Sequence, residues 1–225
     1  MERFVIIVAG GSGLRMGSEI PKQFLPLNGR PLLMLTMEAF QRFSAELRLV
    51  LVLPPAQTAR WRELCREHRF GIPHHLVEGG ETRGQSVRNG LDAITASDGL
   101  VAVHDGVRPL VSHETIARGF ALAGEGKCAV PAVPVNDSLR MLIAGGSQPL
   151  DREMVRRIQT PQVFPLNTLR KAYSLPDFSG YTDDAQLVER AGYAITLFDG
   201  NPENIKITTP ADLKIAAVLA QEPGI

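Results

Sequence analysis

Three observations predict an α/β fold: a mostly parallel sheet with helices on both faces, in one domain over 1–225, with a protruding β-hairpin arm at 134–158. Strand-type and helix-type runs alternate along most of the chain, the rhythm of βαβ units. Phe4-Val5-Ile6-Ile7-Val8 is an unbroken apolar run, as expected of a strand covered on both faces. That strand opens at once into a glycine-rich loop, Ala9-Gly10-Gly11-Ser12-Gly13-Leu14-Arg15-Met16-Gly17. The 225 residues are 44% hydrophobic and 21% charged, enough to build a sizeable core.

The elements follow in order. Leu32 to Phe43 is helical. Leu47 to Leu53 is a strand closed by Pro54-Pro55, Thr58 to His68 a helix, and His74 to Val77 a short strand. Thr82 to Ile94 is a helix whose Thr82-x-x-Gln85 start has the form of a capping box. Leu100 to His104 is a strand, Ser112 caps a helix to about Ala123, and Cys128 to Val133 is a further strand. Ligands of such sheets bind outside the carboxyl ends of the strands. The loops after Val8, Val77 and Val103 therefore share a crevice.

The rhythm breaks at Pro134. Ser138 to Ile143 partly alternates, Ala144-Gly145-Gly146-Ser147 is a turn, and Pro149 to Ile158 returns, giving the hairpin arm. A lone hairpin is marginal in water. Leu139, Met141 and Ile143 need a partner, and a second copy of the chain is the simplest one; a hairpin folded onto its own domain is the alternative. The α/β pattern then resumes. Thr182 to Ala191 is a helix, and Ala194 to Phe198 and Ile205-Lys206-Ile207 are strands. Thr209-Pro210-Ala211-Asp212 starts a last helix, with a cap, a first-turn proline and an acid.

The glycine loop carries the chemistry. Glycines let consecutive N–H groups approach an anion with no Cβ in the way. Arg15, and Lys22 in Pro21-Lys22-Gln23-Phe24, add two positive charges beside it. Such a set suits a triphosphate, whose charge must be held and then matched better as it grows at the reacting phosphorus. Gly17-Ser18-Glu19 stands where a P-loop needs Gly-Lys-Ser/Thr. Met16 occupies the third glycine of a dinucleotide fingerprint, and Pro21 interrupts the helix that should follow. A glycine-rich surface turn is the plainer alternative.

Charge and cysteines exclude other classes. Lys+Arg and Asp+Glu balance at 24 each, leaving no basic excess to bind a nucleic-acid backbone. Cys65 and Cys128 have no CxxC spacing and read as free thiols of a reducing compartment. The start shows no basic stretch with a cleavage site, and no apolar run is long enough to span a bilayer. A cytoplasmic protein without a membrane partner is expected. His74, His75 and His113 lack metal-ligand spacing, and His104 reads as a packed strand-end residue.

The ordered pieces Ala9 to Met16, Pro21-Lys22-Gln23, Gly79-Gly80-Glu81-Thr82-Arg83, Val103-His104-Asp105-Gly106-Val107-Arg108-Pro109, Asp151-Arg152, Thr160-Pro161-Gln162, Thr182-Asp183 and Asn204 to Thr208 run nearly the whole length of the chain. In order and spacing they resemble the 2-C-methyl-D-erythritol 4-phosphate cytidylyltransferase family, which implies a Rossmann-like fold. The implied reaction takes CTP and a polyol phosphate, methylerythritol 4-phosphate, to the CDP-alcohol and pyrophosphate in non-mevalonate isoprenoid synthesis. The resemblance also implies Mg²⁺, held mainly by the CTP phosphates, and a homodimer through the arm.

The same resemblance implies the roles. Arg15 and Lys22 match transition-state stabilisers, and the backbone of Gly10, Gly11 and Gly13 holds the phosphates. Ala9, Gly10, Gly80, Arg83 and Ser86 lie around the cytidine; for Arg83 a surface arginine is the alternative. Asp105, followed by Gly106, meets the ribose, a metal-bound water or the substrate hydroxyls. Arg108 pairs with a phosphate or with Asp105. Arg152 and Lys206 position the acceptor phosphate, and Ser138, Thr160 and Thr182 supply hydroxyls to it. Ser138 stands where threonine is common, and Val8-Ala9-Gly10-Gly11 departs from the usual Pro-Ala-Ala-Gly. The ribitol 5-phosphate cytidylyltransferases share the opening; Asp151-Arg152 upstream of Gln159-Thr160-Pro161-Gln162 favours methylerythritol phosphate. Sugar-1-phosphate nucleotidyltransferases space Arg and Pro-Lys further apart. A non-catalytic nucleotide sensor or scaffold would not need Arg15, Lys22, Arg152 and Lys206 together.

Overall fold

Successive side chains of β1 (Arg3–Val8) leave the strand in opposite directions, and both directions are buried. Val5 and Ile7 enter one apolar cluster; Phe4, Ile6 and Val8 enter another. A strand buried on both faces must lie inside a sheet with helices on either side, and the computed structural model has that architecture. It describes residues 1–10, 20–178 and 180–221.

After β1 come β2 (Pro26–Leu27), β3 (Arg30–Pro31), α1 (Leu32–Phe43), β4 (Arg48–Leu53), α2 (Thr58–Glu67), β5 (His74–Glu78) and α3 (Arg83–Asp92). Then follow β6 (Leu100–Asp105), α4 (His113–Gly124), β7 (Cys128–Pro134), β8 (Leu139–Ile143), β9 (Gly146–Leu150) and β10 (Arg156–Ile158). The chain closes with β11 (Gln162–Pro165), α5 (Leu166–Tyr173), α6 (Asp184–Arg190), β12 (Ile195–Asp199) and α7 (Pro210–Leu219). The main sheet has the order β10-β7-β11-β6-β1-β4-β5, with β12 also paired to β7. β6, β1, β4 and β5 are mutually parallel, and β12 is parallel to β7. Helices α1, α2 and α4 cover one face through Met37, Phe40, Trp61 and Ile116. Helices α3, α5 and α6 cover the other through Val87, Leu91, Leu169 and Val188. The expected mostly parallel sheet, helical on both faces, is present.

Three expectations need correction. Ile205-Lys206-Ile207 is not a strand: its ladder-like contact is one bond, from Ile207 N–H to the Val107 carbonyl at 3.0 Å. It is held instead by apolar packing of Ile207 with Leu27, Leu32, Val107 and Ala216 of α7. The turn of the hairpin is Ala144-Gly145, with Gly146 and Ser147 already in β9; Gly145 supplies the positive φ of +80° that such a tight connection requires. The return to Ile158 is not one strand. It ends at Leu150, Asp151 Oδ1 accepts from Glu153 N–H at 3.0 Å to cap a single 3₁₀ turn over Arg152–Met154, and Arg156–Ile158 joins the main sheet beside β7.

β11 and α5 have no counterpart in the sequence reading. β11 runs antiparallel between β6 and β7. The β8–β9 hairpin forms a sheet of its own. It leaves Met141, Leu142 and Ile143 44%, 84% and 48% exposed, so its apolar side chains are not covered by their own chain. Among the described residues no helix is long and apolar enough to cross a membrane.

Candidate active site

Parallel neighbours end at one edge of a sheet, and their loops open together. Val8 pairs with Asp105 across β1 and β6, and Val52 with Val77 across β4 and β5. The loops that follow enclose a crevice of about 210 Å³. Ala9 and Gly10 come to it from β1, Lys22 from the 3₁₀ turn Lys22–Phe24, Gly80 from the loop after β5, and Arg83 and Ser86 from the first turns of α3. Asp105 and Lys206 complete it.

The loop between β5 and α3 is built by its own sequence. Thr82 Oγ1 accepts from Gln85 N–H at 3.1 Å, and Gln85 Oε1 accepts from the N–H groups of Thr82 and Glu81 at 3.2 and 2.8 Å, the expected capping box. Gly80 lies so close over Gln85 that a Cβ would sit 2.4 Å from the Gln85 Cβ. Ser86 Oγ accepts from Gly80 N–H at 3.2 Å and donates to the Thr82 carbonyl at 3.0 Å. Its hydrogen is thus used inside the loop. Gln23 Nε2 donates to the Ala9 carbonyl at 2.7 Å and fixes the turn out of β1.

Asp105 is the electrostatic centre. Its Oδ2 faces Arg108 Nε at 3.0 Å and Lys206 Nζ at 3.1 Å, and its Oδ1 lies 4.0 Å from Arg83 Nε. Burial works to raise its proton affinity, but Lys206, Arg108 and Arg83 together hold the carboxyl well below the usual range. Behind it, His104 is fully buried, and desolvation lowers its pKa to about 4, so the ring is neutral. Its Nε2 lies 3.0 Å from the Arg108 carbonyl and must carry the hydrogen; Nδ1, 3.0 Å from Thr160 Oγ1, then accepts from that hydroxyl. The same Oγ1 accepts from Asp105 N–H at 3.1 Å.

Among the sequence candidates, Ala9, Gly10, Lys22, Gly80, Arg83, Ser86, Asp105 and Lys206 meet in the crevice. Beyond Lys206 opens a second recess bordered by Arg108, Thr160 and Thr182. In this arrangement the Thr160 hydroxyl hydrogen is directed to His104 rather than toward the second recess that Thr160 borders. Gly106 does not line the crevice: a Cβ there would be 2.8 Å from the Ala9 Cβ and 3.1 Å from Leu33 Cδ1, so it is a close-packing glycine. Arg108 takes the ion pair with Asp105, and its Nη1 donates to the Asn204 carbonyl at 2.8 Å. Arg83 is not a free surface side chain; Nη2 donates to Asp184 at 2.6 Å. Thr182 is exposed and accepts from Gln186 Nε2 at 2.7 Å, which leaves its hydroxyl hydrogen available. Ser138 and Arg152 are exposed near the hairpin and reach neither recess of their own chain; Arg152 Nη1 donates to the Asn136 carbonyl at 2.8 Å. Gly11, Gly13 and Arg15 lie outside the described residues.

Sequence reasoning placed Gln23 in the Pro21-Lys22-Gln23 motif without giving it a role, and it missed Asp184 and Tyr173. Asp184 adjoins the Thr182-Asp183 motif, a usable signal. Tyr173 ends an ordinary amphipathic helix and carries none. Among the described residues no three His, Cys, Asp or Glu side chains cluster to hold a metal.

The model of the family described as 2-C-methyl-D-erythritol 4-phosphate cytidylyltransferase matches residues 4–222. The enzyme of that name from Bacteroides thetaiotaomicron is 51% identical over 219 residues, covering 97% of this chain and 100% of the relative. Its counterpart from Porphyromonas gingivalis is 48% identical over 221 residues, 97% of each chain. Among solved structures, the enzyme of that name from Thermus thermophilus superposes with a TM-score of 0.81 at 35% identity, covering 99% of this chain and 100% of that one. The 4-diphosphocytidyl-2C-methyl-D-erythritol synthase from Anaerococcus prevotii gives 0.83 at 28% identity, with 98% and 99% covered.

Proposed function

This chain belongs to the 2-C-methyl-D-erythritol 4-phosphate cytidylyltransferase family, and from that premise we propose how its residues divide the reaction. The enzyme transfers CMP from CTP to 2-C-methyl-D-erythritol 4-phosphate. An acceptor phosphate oxygen forms a bond to the α-phosphorus, the bond from that phosphorus to the bridging oxygen breaks, and its electron pair leaves with pyrophosphate. The attacking oxygen is already anionic at neutral pH, so no general base is needed. What remains is to align two anions and to neutralise the charge that builds up between them.

One observation carries the division of labour: Lys206 borders both the nucleotide crevice and the second recess, with its ammonium 3.1 Å from Asp105. CTP takes the crevice, with cytidine against Ala9, Gly10, Gly80, Arg83 and Ser86, and the phosphates against the backbone of Gly10, Gly11 and Gly13. The acceptor takes the second recess, its phosphate drawn to Lys206 and to Thr182. Lys22, and Arg15 by sequence, stabilise the transition state at the α-phosphorus. Asp105, anionic throughout, aims Lys206 and accepts from a substrate hydroxyl. Arg108 keeps that carboxylate charged and fixed.

Mg²⁺ would be held mainly by the triphosphate. Asp105, which lines the crevice, already faces three cations, which argues against a protein-built metal site. When bound, the ion would supply positive charge to the triphosphate.

The second copy of the chain completes the acceptor site. Arg152 and Ser138 stand away from their own recesses, and the neighbouring hairpin exposes Met141, Leu142 and Ile143. An isologous two-fold dimer covers those side chains and brings Arg152 and Ser138 to the partner's acceptor. The test of the substrate is pyrophosphate release with CTP and either methylerythritol 4-phosphate or ribitol 5-phosphate. Turnover with the first alone is expected; preference for the second overturns the acceptor reading.

A further inference from the structure

One carboxylate near the crevice has no part in the roles above. Asp184 is fully excluded from solvent. A carboxylate that deep persists as an anion only if each oxygen is matched by donors. Here Oδ2 accepts from Arg83 Nη2 at 2.6 Å and Oδ1 from the Tyr173 hydroxyl at 2.6 Å. Tyr173 is itself buried, and both its burial and the Asp184 charge hold the hydroxyl strongly protonated. It is therefore a fixed donor that fills Oδ1 and leaves Oδ2 to the arginine.

The consequence falls on Arg83. A guanidinium is a rigid fork, so anchoring one nitrogen orients the rest. Asp184 anchors Nη2, while Asp105, at 4.0 Å from Nε, is beyond hydrogen-bond reach. Arg83 thus takes its direction from α6 and α5, although its backbone belongs to α3 and its exposed quarter faces the crevice. The anchor does not move freely. Asp183 Oδ1 accepts from Gln186 N–H at 3.1 Å, Asp183 Oδ2 accepts from Gln162 Nε2 at 3.0 Å, and Gln162 Oε1 accepts from Ala185 N–H at 2.9 Å. This bracket ties the start of α6 to β11.

We propose that Asp184 and Tyr173 are positioning residues that aim the Arg83 guanidinium at the bound nucleotide, so that the α5–α6 face of the sheet governs CTP affinity through one side chain. This rests on the reading of Arg83 as a nucleotide contact. It goes further in assigning two residues that touch no substrate.

The test is a double-mutant cycle on the full enzyme, with steady-state kinetics against CTP and thermal melts of each variant. Tyr173→Phe removes only a hydroxyl and Asp184→Asn only a charge. Each is expected to raise the CTP Michaelis constant roughly threefold to tenfold, as for a weakened bond to a charged group, with a smaller change in turnover. In an Arg83→Ala background, Tyr173→Phe should add nothing to the CTP Michaelis constant while still lowering the melting temperature. A merely structural pair would lower stability in both backgrounds and leave the CTP constant alone. The proposal is overturned if folded Tyr173→Phe binds CTP like wild type, or if its effect multiplies with that of Arg83→Ala; this variant decides the matter even if Asp184→Asn fails to fold. If Arg83→Ala alone leaves the CTP constant unchanged, the underlying assignment of Arg83 has failed instead.

Discussion

Asp105→Asn keeps the side chain's shape and removes its charge, and the structure sets the size of the loss. The pair with Arg108 is buried, the two side chains being 11% and 9% exposed. Removing one partner of such a pair costs about 3–5 kcal/mol when nothing replaces it. Here the asparagine carbonyl still accepts from Arg108 Nε, and Arg108 keeps the Asn204 carbonyl at 2.8 Å. The loss is therefore nearer ~2–3 kcal/mol, the worth of charge in one hydrogen bond plus imperfect pairing. Lys206 is 43% exposed and returns to water, adding less than about 1 kcal/mol. For a chain of this size ~1 kcal/mol moves the midpoint about 2–4 °C, so a drop of roughly 5–10 °C is expected at neutral pH. The pH dependence has a definite sign. The folded-state pKa lies below the unfolded 3.8, so the stabilisation is fully present above that value and is lost progressively as pH falls from it through the lower folded-state value. Melts followed by circular dichroism should show a constant gap between wild type and variant from about pH 8 to about pH 5, narrowing below about pH 4. A variant that melts with wild type at neutral pH, or a gap that widens in acid, would refute the electrostatic account of this cluster.

Lys22→Ala should lower turnover by ~10²–10³ with little change in CTP binding, because the charge is needed where the transition state develops; stopped-time pyrophosphate assays over a CTP series separate the two. Thr160→Val deletes the hydroxyl between His104 and the Asp105 amide and should cost about 1–3 kcal/mol, read as a lower melting temperature, while the Michaelis constant for the acceptor stays within about twofold; a large selective rise in that constant would restore Thr160 as a substrate ligand. Subunit mixing tests the shared site. Arg152→Ala and Lys22→Ala homodimers should each be nearly inactive, and their verified heterodimer should regain about half of wild-type activity, since one site receives both defects and the other neither; an inactive heterodimer would assign Arg152 to its own chain.

Much of the fold was legible because its signals are local. The run Phe4 to Val8, the Thr82–Gln85 capping box, the Ser112 cap and the Thr209-Pro210 start each decide their element within a few residues, and all are present. β11 was not legible: four residues, one a buried glutamine and one a proline, are too short for any period to show. Arg156–Ile158 read as part of the hairpin because no local signal tells an arm strand from a sheet edge.

The candidate site divides in the same way. Sequence alone determined which residue types were present for the chemistry: the glycines, Lys22, Arg83, Asp105 and Lys206, in loops that a parallel sheet opens along one edge. Only the tertiary structure decided what each side chain is free to do. Arg108 bonds to Asn204 across 96 residues, and Arg83 to Asp184 across 101. The Thr160 hydroxyl goes to His104, 56 residues earlier. The physical reason is that a hydroxyl has one hydrogen and a buried carboxylate a limited set of acceptor positions. Which partner takes them depends on the strand order that brings distant loops together, and local sequence does not encode that choice.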